Sequence, residues 1–224
     1  MKAFILAAGR GQRLKPITDK TPKPLVPVQG QPLLLHHLLA LKKAGFRDIV
    51  INVSWLGDQI IEFLKTETPK GLTIQISDER GRALETGGGM LKALPLLGDQ
   101  PFLCVNADVF TDMDYSRLIN VSLNNDWLHI VLVPNPEHNQ SGDFSLHNNR
   151  LMSVTPTHDS FTYSGIGVYS PALFKPVSHR SRQAFKLAPL IHSAIQHQQA
   201  GGQIYHGLWT DVGTPERLAE LNQR

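Results

Sequence analysis

The sequence predicts an α/β fold with a mostly parallel central sheet flanked by helices. Three observations predict it. Short apolar runs alternate with helix-period stretches through the first half of the 224-residue chain. The first run, Lys2–Ala7, opens directly into a glycine-bearing loop, as a strand buried on both faces does. A hydrophobic fraction of 41% at this length buries a full core without disulfide or metal staples.

Each element follows from a local signal. After the first strand, Pro32 suits a helix first turn, a Leu-rich stretch follows, and Gly45 supplies the left-handed residue that stops it. Asp48–Ser54 is the second strand and Trp55–Lys65 a helix with apolar residues at 56, 60, 61, 63 and 64. Leu72–Ile76 is a strand, Thr86–Leu94 a helix and Pro101–Val105 a strand. This alternation implies right-handed crossovers, with ligands gathered at the carboxyl ends of the strands. After Asp112 the rhythm changes. A helix near Tyr115–Leu123 leads to strand Leu128–Val133, and Asp143–Leu146 with Arg150–Val154 read as a hairpin around His147, Asn148 and Asn149, inserted in the sheet. Phe161–Tyr169 is a strand, Leu187–Gln199 a helix stopped by Gly201, Gln203–His206 a last strand, and Thr214-Pro215 opens a last helix. Neither a linker nor a repeat interrupts the chain, so residues 1–224 are expected to form one domain. Residues 1–112 would mainly bind one ligand, and the β-rich 113–224 a second.

Composition narrows the function. The N-terminal apolar run ends at Gly9, too soon for a signal peptide, and no segment approaches the ~20 apolar residues of a membrane span. The single cysteine, Cys104, fits a reducing compartment, so a cytoplasmic protein is expected. A net charge of +3 without any run of Lys or Arg suits a small anionic ligand better than nucleic acid or a membrane. The ten histidines include no H-x-x-x-H and no Cys/His cluster.

The first chemically pointed segment follows strand one. Gly9 and Gly11 let backbone N–H groups turn inward, as a polyphosphate cradle requires, and Arg13 adds a permanently charged fork. As a bare pattern this is equally a tight turn. Leu14 stands where a dinucleotide fingerprint needs a third glycine, and no G-x-x-x-x-G-K-[ST] occurs, so neither dehydrogenase nor P-loop chemistry is favoured. Lys23, between Pro22 and Pro24, is expected on extended backbone, its ammonium presented with little entropy loss. Alone, it is also compatible with a solvated surface turn.

Together, LAAGRGQRLKPITDKTPKPLVPVQGQP resembles, nearly position for position, the sugar-1-phosphate nucleotidyltransferase signature L-A-A-G-x-G-x-R-L-x-P-x-T-x-x-x-P-K-P-L-x-P-V-x-G-x-P. The resemblance implies a Rossmann-like nucleotidyltransferase fold with a small β-rich sugar-binding insertion. It further implies nucleotide contacts from Ala7, Ala8, Gly9, Gly11, Gln12, Arg13 and Lys23, with Lys23 and Arg13 catalytic.

Two acids complete the pattern. Asp108 ends the strand Phe102-Leu103-Cys104-Val105-Asn106-Ala107, where a carboxylate would repel phosphates unless a cation intervened. Asp211 lies in Trp209-Thr210-Asp211-Val212-Gly213-Thr214-Pro215. Spacing alone cannot bring them together. The resemblance does, because the family holds Mg²⁺ with aspartates in V-N-x-D and W-x-D-x-G-T-P, although it usually has Gly where this chain has Ala107. Asp112 and Asp114 read as a turn and a helix cap.

Leu84-Glu85-Thr86-Gly87-Gly88-Gly89 offers backbone access to a flat base, through Thr86 and Gly87, or is a flexible loop. Over essentially the whole chain, LETGGG, VNADVFTD, SGDF, SGIGVYSPALF and W-x-DVGTPERLAE resemble the short bacterial uridylyltransferases of cell-wall sugar recycling within the family. That resemblance implies UTP and N-acetylmuramate α-1-phosphate as substrates, bound on the sugar side by Asn106, Asp143, Gly165 and Lys186. Asp143 is also compatible with a hairpin start and Lys186 with a solvated surface, although an ammonium suits the lactyl carboxylate of muramate. Two other readings stay open: mannose-1-phosphate guanylyltransferase or another hexose or heptose enzyme, and a catalytically silent nucleotide-sugar sensor. Oligomeric state is not legible.

Overall fold

A computed structural model describes residues 1–180 and 183–223. The elements run β1 (Ala3–Leu6), α1 (Ile17–Lys20), β2 (Pro27–Val28), β3 (Gln31–Pro32), α2 (Leu33–Lys43), β4 (Asp48–Val53), α3 (Gly57–Glu67), β5 (Thr73–Asp78), α4 (Glu85–Leu97), β6 (Phe102–Asn106) and β7 (Val109–Thr111). The second half adds α5 (Ser116–Ile119), β8 (Leu128–Val133), β9 (Phe144–His147), β10 (Arg150–Met152), β11 (Ser160–Tyr169), α6 (Ala188–Gln196), β12 (Ala200–Ile204), β13 (Trp209–Asp211) and α7 (Pro215–Gln223).

Nine strands form one mixed sheet in the order β5-β4-β1-β6-β11-β8-β12-β10-β9. The expected parallel arrangement holds from β5 to β6, where β1 runs beside both β4 and β6. It fails at β11, which is antiparallel to β6 and β8 and also pairs β9. The sheet is therefore mixed rather than mostly parallel. Only β12 beside β8 returns to parallel pairing beyond that point.

Period-two alternation sorts the strand residues onto two helical layers. Ala3, Ile5, Leu103 and Val105 face a core that includes Leu34, Leu38 and Leu41 of α2 and Ile60 of α3. Phe4, Phe102 and Cys104 face Met90, Ala93 and Leu97 of α4 and Leu190, Ile191 and Ala194 of α6. A third cluster, Leu14, Val26, Val28, Leu33, Phe110, Val212, Leu218 and Leu221, ties the first loop to β7 and α7.

Several boundaries differ from the sequence reading for physical reasons. The helix expected over Tyr115–Leu123 shrinks to Ser116–Ile119. Gly201 does not stop α6: the turn comes at Gln198, with φ 56°, and Gly201 and Gly202 lie inside β12, close against His129 and the Ile130 carbonyl. The hairpin is present as β9–β10, turned by Asn148 and Asn149, whose φ of 48° and 61° suits asparagine in a tight two-residue turn. The β7–β13 ribbon and the 3-10 segment Pro171–Arg180 were not read from sequence. No described helix is long and apolar enough to cross a membrane.

Candidate active site

The loop after β1 is shaped by its two glycines in different ways. At Gly9 a side chain would meet open space, so this glycine keeps the cleft clear. Gly11, at φ +65°, makes a left-handed turn packed so closely that a Cβ would stand 2.9 Å from Thr18 and 3.2 Å from Lys23. Its carbonyl accepts the Leu14 N–H at 2.9 Å and the Thr18 hydroxyl at 2.8 Å. Leu14, fully buried in the third cluster, anchors what a third glycine would have left loose. Gln12 and Arg13 remain exposed at the rim, the Arg13 side chain at 67%.

Lys23 sits differently from the expectation. Pro22 is extended, but Lys23 opens a 3-10 turn, Lys23–Leu25, and its side chain is buried. Burial and an ion pair, rather than extended backbone, fix the ammonium: Nζ lies 2.5 Å from Asp108 Oδ2.

The β7–β13 ribbon brings the backbones of the two acids side by side. Asp211 pairs with Val109 in register, and the Val212 N–H donates to the Asp108 carbonyl at 2.8 Å. Asp211 Oδ1 accepts from Arg217 Nη1 at 2.5 Å, with His138 Nε2 3.0 Å away and Arg13 Nη2 3.9 Å from Oδ2. Each carboxylate thus carries a cationic side chain. Among the described residues no cluster of three or more His, Cys, Asp or Glu could hold a metal. A pair of hard carboxylates that leaves the other positions to water and phosphates fits Mg²⁺.

Ala7, Ala8, Gly9, Lys23, Thr86, Asn106 and Asp108 all line one cleft of about 790 Å³. The sequence reading missed Asn52, Trp55 and Glu79 on its wall. Asn52 Oδ1 accepts the Ala7 N–H at 2.6 Å, while its Nδ2 donates to Glu79 Oε1 at 2.8 Å. Glu79 Oε2 accepts the Leu84 N–H at 3.1 Å. Burial pushes the Glu79 carboxyl above its ordinary range, against the pull of those donors. This chain of bonds joins the carboxyl ends of β1, β4 and β5 to the start of α4. The signal was present: polar residues at the tips of otherwise apolar strands face the ligand crevice. Arg10 stacks on Trp55, its guanidinium carbon 4.5 Å from the ring centre, and the Trp55 indole donates to the Thr18 carbonyl at 2.9 Å.

The three glycines of α4 are tight for another reason than access to a base. A Cβ at Gly87 would meet the Phe185 ring at 2.6 Å and the Lys186 carbonyl at 2.9 Å; at Gly88 it would meet the Gln183 carbonyl at 2.5 Å, and at Gly89 Glu79 Oε1 at 2.7 Å. They let residues 183–186 and Glu79 approach the helix, and Lys186 is exposed there. On the other side, Gly165 takes φ +78° at a bulge in β11, and a Cβ there would collide with Asn106 Nδ2 at 2.6 Å. Asn106 and Gly165 are therefore neighbours by construction. Asp143 Oδ2 accepts the Tyr163 N–H at 2.8 Å and its Oδ1 the Asn139 Nδ2 at 3.3 Å, outside the main cleft.

The chain resembles known proteins along its full length. A family model described as nucleotidyl transferase matches residues 2–224. The chain is 46% identical to a Neisseria meningitidis protein named N-acetylmuramate alpha-1-phosphate uridylyltransferase, covering 98% of this chain and 96% of that one. It is 31% identical to a Caulobacter vibrioides protein of the same name, covering 97% of each. Mannose-1-phosphate guanylyltransferases match at lower identity. A Bacillus anthracis structure provisionally named a glucose-1-phosphate thymidylyltransferase superposes with a TM-score of 0.86 at 21% identity, over 100% of this chain and 94% of that one, and shares the α/β fold. With a family model matched over residues 2–224 and this likeness along its full length, and with Gly9, Lys23 and Asp108 on one cleft, the chain belongs to the sugar-1-phosphate nucleotidyltransferase family.

Proposed function

We propose that the protein transfers a uridylyl group from UTP to N-acetylmuramate α-1-phosphate, releasing pyrophosphate, in the reuse of cell-wall sugar. The observation that carries the choice of substrates is the full-length identity of 46% to the Neisseria protein of that name. A sugar-phosphate oxygen attacks the α-phosphorus of UTP, one P–O bond forms, and the bond to pyrophosphate breaks. The attacking phosphate is ionised at neutral pH, so no general base is assigned. The obstacle is repulsion between two anions and charge build-up at the reacting phosphoryl group.

The chain's own residues answer that obstacle. Lys23 places a fixed ammonium beside the reacting phosphoryl oxygens, while Arg13 and the backbone N–H groups of Gly9 to Gln12 hold the leaving pyrophosphate. Ala7, held by Asn52, and Thr86 border the nucleotide. Gly87 belongs with them as part of the same helix start. Asn106, Asp143 and Gly165 serve the sugar, with Lys186 supplying charge for the lactyl carboxylate. Asp108 and Asp211 would hold Mg²⁺, which when bound supplies Lewis-acid neutralisation of phosphate charge.

A screen of pyrophosphate release from UTP and from GTP with N-acetylmuramate, N-acetylglucosamine, glucose and mannose 1-phosphates tests the reading. N-acetylmuramate α-1-phosphate should be the best acceptor. Preference for GTP and mannose 1-phosphate would replace the reading, and no release with any pair would leave the sensor. Lys23→Ala should lower kcat about 10²–10³-fold, and near-wild-type turnover would remove Lys23 from the chemistry.

A further inference from the structure

Arg217 is the one member of the Asp211 cluster with donors to spare on the sugar side. It sits in the first turn of α7, its side chain 15% exposed. Nη1 bonds Asp211 Oδ1 at 2.5 Å and lies 2.7 Å from Nε2 of His138. No other N–H of the guanidinium has a partner among the described residues, and none is sealed from solvent. A fork of five donors held nearly buried with most of them unspent is poised for a planar or tetrahedral oxyanion.

Its neighbours say which anion. Asp211 presents Oδ2 to Arg13, on the loop after β1, and Oδ1 to Arg217. His138 belongs to the turn Glu137–Asn139, and Asn139 reaches both Asp143 and Thr162, at 3.3 Å and 3.0 Å. Arg217 thus contacts Asp211 on one side and, on the other, His138 of the turn whose Asn139 reaches Asp143. Gly213 makes this placement possible: a Cβ there would overlap Arg217 Nη2 and stand 2.8 Å from Asp211 Oδ2. Two permanent cations for one carboxylate leave positive charge over for an arriving anion.

Resting on the reading that a sugar 1-phosphate is the acceptor, we infer that Arg217 receives an oxyanion of that sugar substrate, as the counterpart of Arg13 across Asp211. Two groups on N-acetylmuramate α-1-phosphate share the chemistry, its phosphate and its lactyl carboxylate.

The test is steady-state kinetics of Arg217→Met, Arg217→Lys and Gly213→Ala, with UTP and the sugar phosphate varied in turn and melting temperatures measured alongside. Arg217→Met should raise KM for the sugar 1-phosphate by about tenfold or more while KM for UTP moves less than about twofold. Arg217→Lys should recover only part of the loss, because a point charge replaces the fork. Gly213→Ala, which keeps the arginine but pushes its guanidinium away, should repeat the selective rise. N-acetylglucosamine 1-phosphate, as substrate or competitive inhibitor, separates the sources: weakened equally, it assigns the phosphate; unaffected, it assigns the lactyl carboxylate.

An unchanged sugar KM, or equal rises for sugar and UTP, would overturn the inference. Wild-type turnover in the sugar screen tests the underlying reading separately; were another sugar 1-phosphate the true acceptor, the same variants would be measured with it. If Arg217→Met does not fold, Arg217→Lys and Gly213→Ala decide. Calorimetric titration of the sugar phosphate into enzyme carrying a non-hydrolysable UTP analogue gives the same comparison without turnover.

Discussion

His37 of α2 is a buried imidazole with one unmet nitrogen: Nδ1 lies 3.1 Å from the Tyr115 hydroxyl, and Nε2 has no partner. Burial lowers its pKa from 6.5 to about 4, although the charge of Asp108 pulls the other way. The sign for stability follows. Between about pH 4 and 6.5 the unfolded chain takes a proton at this site that the folded protein refuses. The contribution is fully present above pH 6.5 and lost as pH falls towards 4, by an amount of order 3 kcal/mol. Urea unfolding at pH 4.5 and 7 should show a steeper acid loss for wild type than for His37→Gln, and equal losses would mean that His37 is not buried neutral. At this scale the sequence was legible where one segment defines the role. Gly9, Lys23, Asn106 and Asp108 are read from strand-end position and motif, and they line the same cleft. His138 and Arg217 were not legible, because each acquires its role from residues that only the fold brings near.

Among the elements, the loop after β1 combines an open rim with a deeply anchored base. Leu14 is 0% exposed and packs with Val26, Val28, Phe110 and Val212. Leu14→Ala should cost about 2–5 kcal/mol by the cavity it leaves, and because Gly11 and Lys23 touch across this turn, KM for UTP should rise as well. A melting temperature within error of wild type would show that the anchor is dispensable. Strand periodicity made β1, β4, β6 and β8 readable to within a residue or two. The direction of β11 was not, since parallel and antiparallel buried strands share the same apolar pattern. The β7–β13 ribbon, three residues a side, was too short to carry a period.

Across the whole molecule, the two halves are joined where residues 183–186 lie on the first turn of α4. Gly88 donates its N–H to the Phe185 carbonyl at 3.1 Å, and Phe185 donates to the Leu84 carbonyl at 3.1 Å. Gly88→Ala would force the Gln183 carbonyl away and should destabilise by about 1–3 kcal/mol, lowering the melting temperature by several degrees. It should also speed proteolytic cleavage near residue 185, and unchanged melting and cleavage would show that the segment is not docked in solution. The alternating architecture was visible in the sequence, but this junction was not: a triplet of glycines reads the same whether a base or a backbone comes close.

The β7–β13 ribbon has a consequence for synthesis. Val109 leaves the ribosome about a hundred residues before Asp211, its partner in the ribbon, and Arg217 follows later still. The strands β5 to β6 can pair while the chain is growing, yet β7 stays without its partner strand until the segment around Asp211 emerges. A nascent chain can therefore wall the cleft after β1 early, while the ribbon that sets Asp211 beside Val109 closes only about a hundred residues later.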